Sequence, residues 1–584
     1  MCGIFAYKGN GNAAEIVFNG LKKLEYRGYD SWGMAFKQDS EIKIIKRVGR
    51  IEDFKEKLPA KSHLAIGHTR WATHGSVTEA NAHPHLSNNK KIFVIHNGII
   101  ENYQELKEFL IKKGYKFISQ TDTEVIPNLI QYNMKNHDFE DAVKNTLKKL
   151  EGSFAIAVIN KDSENIVAAR KMSPMVLGLA KDGFFISSDV PAFLSYTNKV
   201  ISLDDNEMII INKKIKIINF MNNKEIKKEP ETTSLDFKES KKGKFRHYII
   251  KEISEQEESI KRAIDQDHNF IKNIANQIEN AFGVFFVACG TSFHACLSAS
   301  YLFSKIAKKH INVVLASEFR NYRHFLTENT LVIAVSQSGE TADVLDAVRA
   351  AKEKHSRIIS IVNVPGSSLT KLSDEVIMMN AGQEVSVLST KSYTSQLAIL
   401  SLLAYASIGK FEEGKELIKK SAGYVGEIIS KNLNKLENLA EMLKHKKDIF
   451  LIGRSLGFPT ALEGALKIKE VSYIHAEGLA GGELKHGTLA LVEKGVPVIV
   501  ISTDETKKDI LNNALEIKAR GGFIIGFNSE NSDVYDYFIK IPLLENMEPI
   551  LSIIPIQIVA YYLAIKRGCD PDKPRNLAKS VTVK

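Results

Sequence analysis

Met1-Cys2-Gly3-Ile4-Phe5-Ala6-Tyr7 opens the chain, and the rest of its first third takes its meaning from this stretch. A cysteine follows the initiator and begins a short apolar strand. A small residue at position 2 permits removal of Met1, which leaves Cys2 with both a thiol and a free α-amine. The unperturbed amine titrates near ~8 and the thiol near ~8.5, so the amine can take the thiol proton close to neutral pH. Alone, a Met-Cys start reads as a small hydrophobe in a terminal strand. The segments that follow give it a chemical role.

Short β-like runs recur at Cys2 to Tyr7, Gly33 to Phe36, Ile42 to Val48, Leu64 to Thr69, Ile92 to His96, Ser153 to Asn160 and Gly183 to Ser187. Helical patterns stand between them at Ala13 to Leu24, Tyr103 to Lys113 and Thr123 to Tyr132, which predicts sheets covered by helices. Polar residues gather at the element ends, in Tyr26-Arg27-Gly28-Tyr29-Asp30-Ser31, His68-Thr69-Arg70-Trp71-Ala72-Thr73-His74-Gly75, His96-Asn97-Gly98 and Thr121-Asp122-Thr123-Glu124. Taken singly, Asn97-Gly98 reads as a hairpin turn and Asp122 as a helix N-cap.

These four motifs, in this order behind Cys2, resemble the glutaminase domain of the N-terminal-cysteine amidotransferases. The resemblance implies an Ntn-hydrolase fold, a four-layer αββα sandwich, in which Cys2 attacks the side-chain amide of L-glutamine, forms a thioester and releases ammonia. It implies an oxyanion hole made by Asn97 and the backbone N–H of Gly98, each donor worth ~3 kcal/mol in the transition state. Arg70 is expected to pair with the glutamine carboxylate and Asp122 with its α-amine, since a zwitterion needs one fixed charge of each sign. Thr73 and His74 complete that end, and Arg27 lies in the loop resembling the family's closing loop.

The totals bound the remainder. At 584 residues the chain exceeds one core, and ~150 residues per domain gives three or four domains. With 44% apolar and 25% charged residues it has the composition of a globular protein, which excludes disordered and fibrous classes. Its net charge of +10 is spread out, with a denser patch only around Lys238 to Arg246, so no nucleic-acid partner is expected. Cys2, Cys289, Cys296 and Cys569 form no Cys-x-x-Cys pair, which argues against a disulfide framework or zinc site. The histidines from His63 to His96 lack catalytic metal spacing, and neither metal nor cofactor is expected. No signal peptide precedes the first strand, which points to the cytoplasm. The apolar run Pro549 to Ile565 contains Pro555 and Gln557 and reads as a buried helix rather than a membrane span.

Past a polar, lysine-rich stretch from Asn219 to Tyr248, a helical pattern runs from Tyr248 to about Ala281. Beyond it the chain repeats itself. Gly290 and Gly453 stand 163 positions apart in matching strand-to-turn segments, Ser336 and Ser502 stand 166 apart, and Asn363 and Asn528 stand 165 apart. A repeat of this length is a duplicated domain, each copy predicted to be a doubly wound parallel sheet. Only the first copy carries Ser336-Gln337-Ser338-Gly339-Glu340-Thr341, whose hydroxyls and amides at a strand-to-helix turn suit a phosphate, as do Thr291 and Ser292. In the second copy Lys467 and Glu470 share a helix face, while Glu463 and Lys467 alone read as a solvated i,i+4 pair. Gly481-Gly482-Glu483-Leu484-Lys485-His486-Gly487 is a glycine-flanked loop holding a histidine, and the chain ends Leu577-Ala578-Lys579-Ser580-Val581-Thr582-Val583-Lys584.

These segments resemble the sugar isomerase domains of the isomerizing glutamine-fructose-6-phosphate aminotransferases, and with the first third the resemblance covers nearly the whole chain. It implies that Ser292, Ser336, Gln337, Ser338 and Thr341 hold the phosphate of D-fructose 6-phosphate, with Thr291 and Val387 at the sugar. By the same resemblance Lys579 is expected to form a Schiff base with the ketose carbonyl, Glu470 to move the proton between C1 and C2, Lys467 to assist, and His486, donated across a homodimer, to open the ring. Ammonia must travel dry to stay unprotonated, and Trp71 is the candidate gate. Ser386, Leu388 and Thr488 depart from the family pattern. The expected divisions are an amidotransferase domain at 2–218, a linker at 219–248, sugar isomerase domains at 249–430 and 431–570, and a catalytic tail at 571–584. A phosphoribosyl-diphosphate amidotransferase is rejected, because Asp204-Asp205 leads into Asn206-Glu207-Met208-Ile209 rather than a phosphate loop. A sugar-phosphate sensor needs neither Lys579, Glu470 nor His486.

Overall fold

A computed structural model describes residues 2–58, 61–212, 214–233 and 242–582. Residues 234–241 of the expected linker, and the last two of the expected tail, lie outside these. The chain divides into one unit of Met1–Lys241 with Ala578–Lys584 and a second of Lys242–Leu577.

The strands of the first unit are β1 (Gly3–Gly9), β2 (Ser31–Gln38), β3 (Glu41–Val48), β4 (Leu64–Arg70), β5 (His85–Leu86), β6 (Ile92–Ile100), β7 (Gly152–Asn160), β8 (Ile166–Lys171), β9 (Val176–Ala180), β10 (Gly183–Ser187), β11 (Lys199–Ser202), β12 (Glu207–Ile211), β13 (Ile215–Asn219), β14 (Glu225–Ile226) and β15 (Glu231–Thr232). They form an eight-stranded sheet ordered β15-β11-β9-β10-β1-β4-β2-β3 and a seven-stranded sheet ordered β14-β13-β12-β8-β7-β6-β5. The strand pairing is antiparallel, with Ile4 opposite His68 and Asn97 opposite Ala155. Strands β14 and β15 carry the sheets past Ile218 into the span expected as linker.

Side-chain alternation builds the layers. Ile4 and Ala6 of β1 pack against Phe93, Ile95, Ala155 and Ala157 between the sheets. Phe5 and Tyr7 point the other way, onto Val17 and Leu21 of α1 (Ala13–Leu24). That helix forms because Ala13, Ala14, Val17, Phe18, Leu21 and Leu24 recur at helical spacing and are all buried, with Lys22 and Lys23 in the last turn facing its negative end. On the second sheet, Ile92 and Val94 face α2 (Tyr103–Lys112), α3 (Val125–Asn133) and α4 (Phe139–Leu147) through Leu106, Leu110, Leu129 and Val143. The result is the αββα sandwich expected from the sequence.

The helical pattern after Tyr248 resolves into three helices, α5 (Tyr248–Ser254), α6 (Gln256–Ala263) and α7 (His268–Asn280), the last capped by Asp267, whose carboxylate accepts from the Phe270 N–H at 2.8 Å. Two parallel five-stranded sheets follow. The first comprises β16 (Gly283–Ala288), β17 (Asn312–Leu315), β18 (Thr330–Ser336), β19 (Arg357–Val362) and β20 (Glu375–Met378) in the order β17-β16-β18-β19-β20. The second comprises β21 (Asp448–Gly453), β22 (His475–Ala480), β23 (Pro497–Ile501), β24 (Phe523–Asn528) and β25 (Tyr537–Lys540) in the order β22-β21-β23-β24-β25. Both copies therefore reverse direction beside their first strand, and open α/β sheets bind ligands at the strand ends of such a switch point.

Helices α8 (Gly290–Leu302), α9 (Ala342–Lys352), α10 (Ser368–Leu372), α11 (Lys391–Ala406), α12 (Phe411–Leu443), α13 (Gly457–Ser472), α14 (Lys507–Lys518) and α15 (Glu548–Lys566) complete the unit. Helix α15 is the apolar run noted above. The most apolar stretch of it is 89% buried, packed among residues of α11, α12 and α13, so its hydrophobicity serves the core.

Candidate active sites

Two clusters of sequence-predicted residues form, one in each unit. In the first, Cys2 precedes β1 and Trp71 follows β4, the strand paired with it. The Trp71 N–H donates to Cys2 Sγ at 3.3 Å, and the thiol faces the Trp71 carbonyl at 3.5 Å. From the other sheet, Asn97 Nδ2 donates to the Cys2 carbonyl at 3.0 Å and to Ser188 Oγ at 2.9 Å. Arg27 Nε donates to the same carbonyl at 3.2 Å, its guanidinium fixed by Asp189 at 3.3 Å. Asp189 also accepts from the Tyr26 hydroxyl. Burial holds the Cys2 thiol above its ordinary range, against the pull of the amino-terminal charge, the Trp71 N–H and Arg70. A thiol in this setting needs a base to become a nucleophile at neutral pH.

The Asn97-Gly98 pair is no hairpin turn. It lies within β6, where Gly98 has φ +119° and an added Cβ would meet the Ser153 carbonyl at 2.0 Å. Nor is Asp122 an N-cap: its carboxylate accepts from the Ile100 N–H at 2.7 Å and ties down the end of β6. Arg70 is 3% exposed and folds the loop after β4 around itself, donating to the carbonyls of His74 at 2.6 Å, Gly75 at 3.0 Å and Ser76 at 3.2 Å. Thr73 on that loop is exposed, while His74 is half-buried with its ring edge-on to Tyr103.

In the second unit the turns after β16 and β18 lie at the strand ends of the switch point. Ser336 Oγ accepts from the Gly339 N–H at 3.1 Å and lies 3.1 Å from Thr341 Oγ1, while Ser338 Oγ accepts from the Glu340 N–H at 3.1 Å. Gln337 is half-buried beside them. Gly339 has φ +66°, and a Cβ there would lie 2.1 Å from Ser367 Oγ. Ser292 on α8 accepts from Gln396 Nε2 at 3.0 Å.

Thr291 links this end to α13. Its Oγ1 accepts from Lys467 Nζ at 2.8 Å and donates to Glu463 at 3.1 Å. Lys467 lies 3.1 Å from Glu463 and 2.9 Å from Glu470, and His294 Nδ1 lies 2.8 Å from the other Glu463 oxygen. The solvated-pair reading of Glu463 and Lys467 is thereby corrected, since neither side chain is exposed. Burial alone would push Lys467 down, and the two carboxylates more than reverse it.

Val387 is buried, its N–H bonded to the Asp572 carbonyl at 3.1 Å. The neighbouring departures have a local cause. Ser386 donates N–H at 3.1 Å and Oγ to Glu252, and Leu388 enters the apolar core. His486 ends the turn Gly481–His486 and is exposed. Lys579 is half-buried in the terminal segment that belongs to the first unit.

Sequence reasoning gave no individual role to His68, His294, Gln396, Ser188 or Asp189, and read Glu463 only as a solvated partner of Lys467. Glu463 and His294 stood in plain view, one turn before Lys467 and three residues after Thr291. Ser188 and Asp189 had no local signal, because their partners lie more than 90 and 160 positions away.

Comparison with known proteins follows the same division. The glutamine amidotransferase domain model matches residues 68–195, and the SIS domain model matches 277–406 and 442–567. Over 602 residues the chain is 45% identical to the glutamine–fructose-6-phosphate aminotransferase (isomerizing) of Thermococcus kodakarensis, covering 100% of both chains. It is 44% identical over 603 residues to that of Pyrococcus horikoshii, again covering 100% of both. Among solved structures, the C-terminal domain of glucosamine-fructose-6-phosphate aminotransferase from Francisella tularensis matches with TM-score 0.53 and 35% identity, over 57% of this chain and 99% of that one. Two sheets clasping an amino-terminal cysteine, a duplicated sugar isomerase fold and full-length identity of this order lead to one statement: the chain belongs to the family of isomerizing glutamine–fructose-6-phosphate aminotransferases.

Proposed function

We propose that the chain converts D-fructose 6-phosphate and L-glutamine to D-glucosamine 6-phosphate and L-glutamate, the first step in making amino sugars. The observation that carries the reading is the convergence of Asn97 Nδ2 from one sheet and the Cys2 segment from the other, 3.0 Å apart. In the processed chain the Cys2 amine takes the thiol proton and Sγ attacks the side-chain amide carbon of glutamine. The oxyanion is held by Asn97 and the Gly98 N–H, the C–N bond breaks, and ammonia leaves with the proton returned. Water then cleaves the thioester to glutamate. Arg70 and Asp122 hold the charged groups of glutamine, Thr73 and His74 complete that end, Arg27 belongs to the closing loop, and Trp71 gates the passage of ammonia.

At the sugar, Ser292, Ser336, Gln337, Ser338 and Thr341 take the phosphate, with Thr291 and Val387 beside the sugar. Lys579 condenses with the ketose carbonyl, which requires its neutral form. Ammonia displaces Lys579 at C2, and Glu470 carries the proton between C1 and C2 while Lys467 assists. His486, exposed on its turn, serves ring opening in a second copy, so the enzyme acts as a homodimer.

Purified protein given glutamine and fructose 6-phosphate should form glutamate and hexosamine phosphate in equal amounts. Cys2→Ala should abolish synthesis from glutamine and spare sugar isomerisation. Borohydride with fructose 6-phosphate should add mass at Lys579. Amination from glutamine by Cys2→Ala, or full activity with Met1 still attached, would overturn the scheme.

A further inference from the structure

Asn97 presents an amide whose two ends differ in chemistry but hardly in shape, and only one orientation turns the N–H group toward the Cys2 carbonyl and Ser188 Oγ. His68 holds the oxygen end of that amide. It lies on β4, in the sheet that holds β1, and is 0% exposed. Its Nε2 lies 3.1 Å from Asn97 Oδ1 and 2.9 Å from the His96 carbonyl, both on β6 of the other sheet. The carbonyl can only accept, so Nε2 carries a hydrogen, and in the neutral ring Nδ1 then carries none. With Nε2–H shared between the carbonyl and Oδ1, the amide oxygen is held on the His68 side and Nδ2 is turned toward the Cys2 carbonyl and Ser188 Oγ.

The surroundings hold the ring in this state. His68 stacks on His83 with centroids 4.0 Å apart, and His83 Nδ1 accepts from the His96 N–H at 3.2 Å. Burial drives the His68 ring down to about 3, with His96 and Arg70 adding repulsion, so it is neutral at working pH. A neutral ring with one hydrogen can serve as a fixed donor across the sheet interface, where a charged one would be costly.

We propose that His68 is a positioning residue of the glutaminase site, its Nε2–H bond to Asn97 Oδ1 holding the amide so that Nδ2 stays turned toward the Cys2 segment as an oxyanion donor. The inference rests on the glutaminase reading above. His68→Phe keeps a planar ring against His83 but cannot donate, whereas His68→Gln restores an N–H donor. In the full-length enzyme, His68→Phe should lower kcat for glutamine hydrolysis ~10–100-fold with KM within ~3-fold, and His68→Gln should recover most of it. In an Asn97→Ala background, adding His68→Phe should cost less than ~2-fold further, because the group it positions is gone. Wild-type kcat in His68→Phe, or losses that multiply in the double variant, would overturn the role. If His68→Phe does not melt cooperatively, His68→Gln decides: near-native kcat supports the assignment, and a folded protein as slow as Asn97→Ala refutes it. A wild-type enzyme that hydrolyses no glutamine would instead overturn the function itself.

Discussion

Glu463 and Lys467, one turn apart on α13, form an ion pair 3.1 Å long in which neither side chain is exposed to solvent. Burial pushes the Glu463 carboxyl up, and Lys467 with His294 pulls it lower still, leaving it below the ordinary glutamate range. An acid depressed on folding adds stability that is present above its unfolded pKa, near ~4.3, and lost as pH falls through the folded value. Glu463→Ala leaves the Lys467 cation buried with one counter-charge fewer and should cost ~3–5 kcal/mol in urea unfolding. It should also weaken acid denaturation below pH ~4. A cost under ~1 kcal/mol would show the pair to be dispensable.

Glu548 behaves in the opposite sense. At the start of α15 its carboxyl is pushed up to about 7 by burial, with Glu545 adding to the shift and Lys305 and the N–H groups of Glu548 and Asn546 opposing it. The unfolded chain ionises near ~4.3, so stability should fall as pH rises from ~4 to ~7 and level off above, by ~4 kcal/mol at most. Glu548→Gln should flatten that window in melting temperature against pH. Parallel wild-type and variant profiles would refute the assignment.

Gly98→Ala introduces a Cβ 2.0 Å from the Ser153 carbonyl at φ +119°. Backbone strain of this kind costs ~1–3 kcal/mol, and relief by shifting β6 moves the proposed oxyanion donor. Glutamine hydrolysis should drop at least ~10-fold, while fructose 6-phosphate isomerisation holds. Equal losses in both reactions would point to general unfolding.

Gly339→Ala should produce the mirror result. Its Cβ would lie 2.1 Å from Ser367 Oγ at φ +66°, in the turn whose N–H groups and hydroxyls we propose for the phosphate. Losing one charge-assisted hydrogen bond, ~1.5–3 kcal/mol, should raise KM for fructose 6-phosphate ~10–100-fold and leave glutaminase activity unchanged. An unchanged KM would remove the turn from the phosphate site.

The amino-acid order by itself determined the layers and the repeat. Alternation in Ile4-Phe5-Ala6-Tyr7 divides residues between the sheet interface and α1, and offsets of 163 to 166 positions mark two copies of one parallel sheet. Such features are local or periodic, so the chain carries them without its fold. Tertiary structure alone decided that Glu463 and Lys467 are buried, because a solvated i,i+4 pair has the same spacing as a dry one. It decided that Asn97-Gly98 continues a strand and that Asp122 secures the Ile100 N–H rather than a helix end. It also decided which nitrogen of His68 carries the hydrogen, since a tautomer is set by the partner it faces, and that partner, the His96 carbonyl, stands on another sheet 28 residues away.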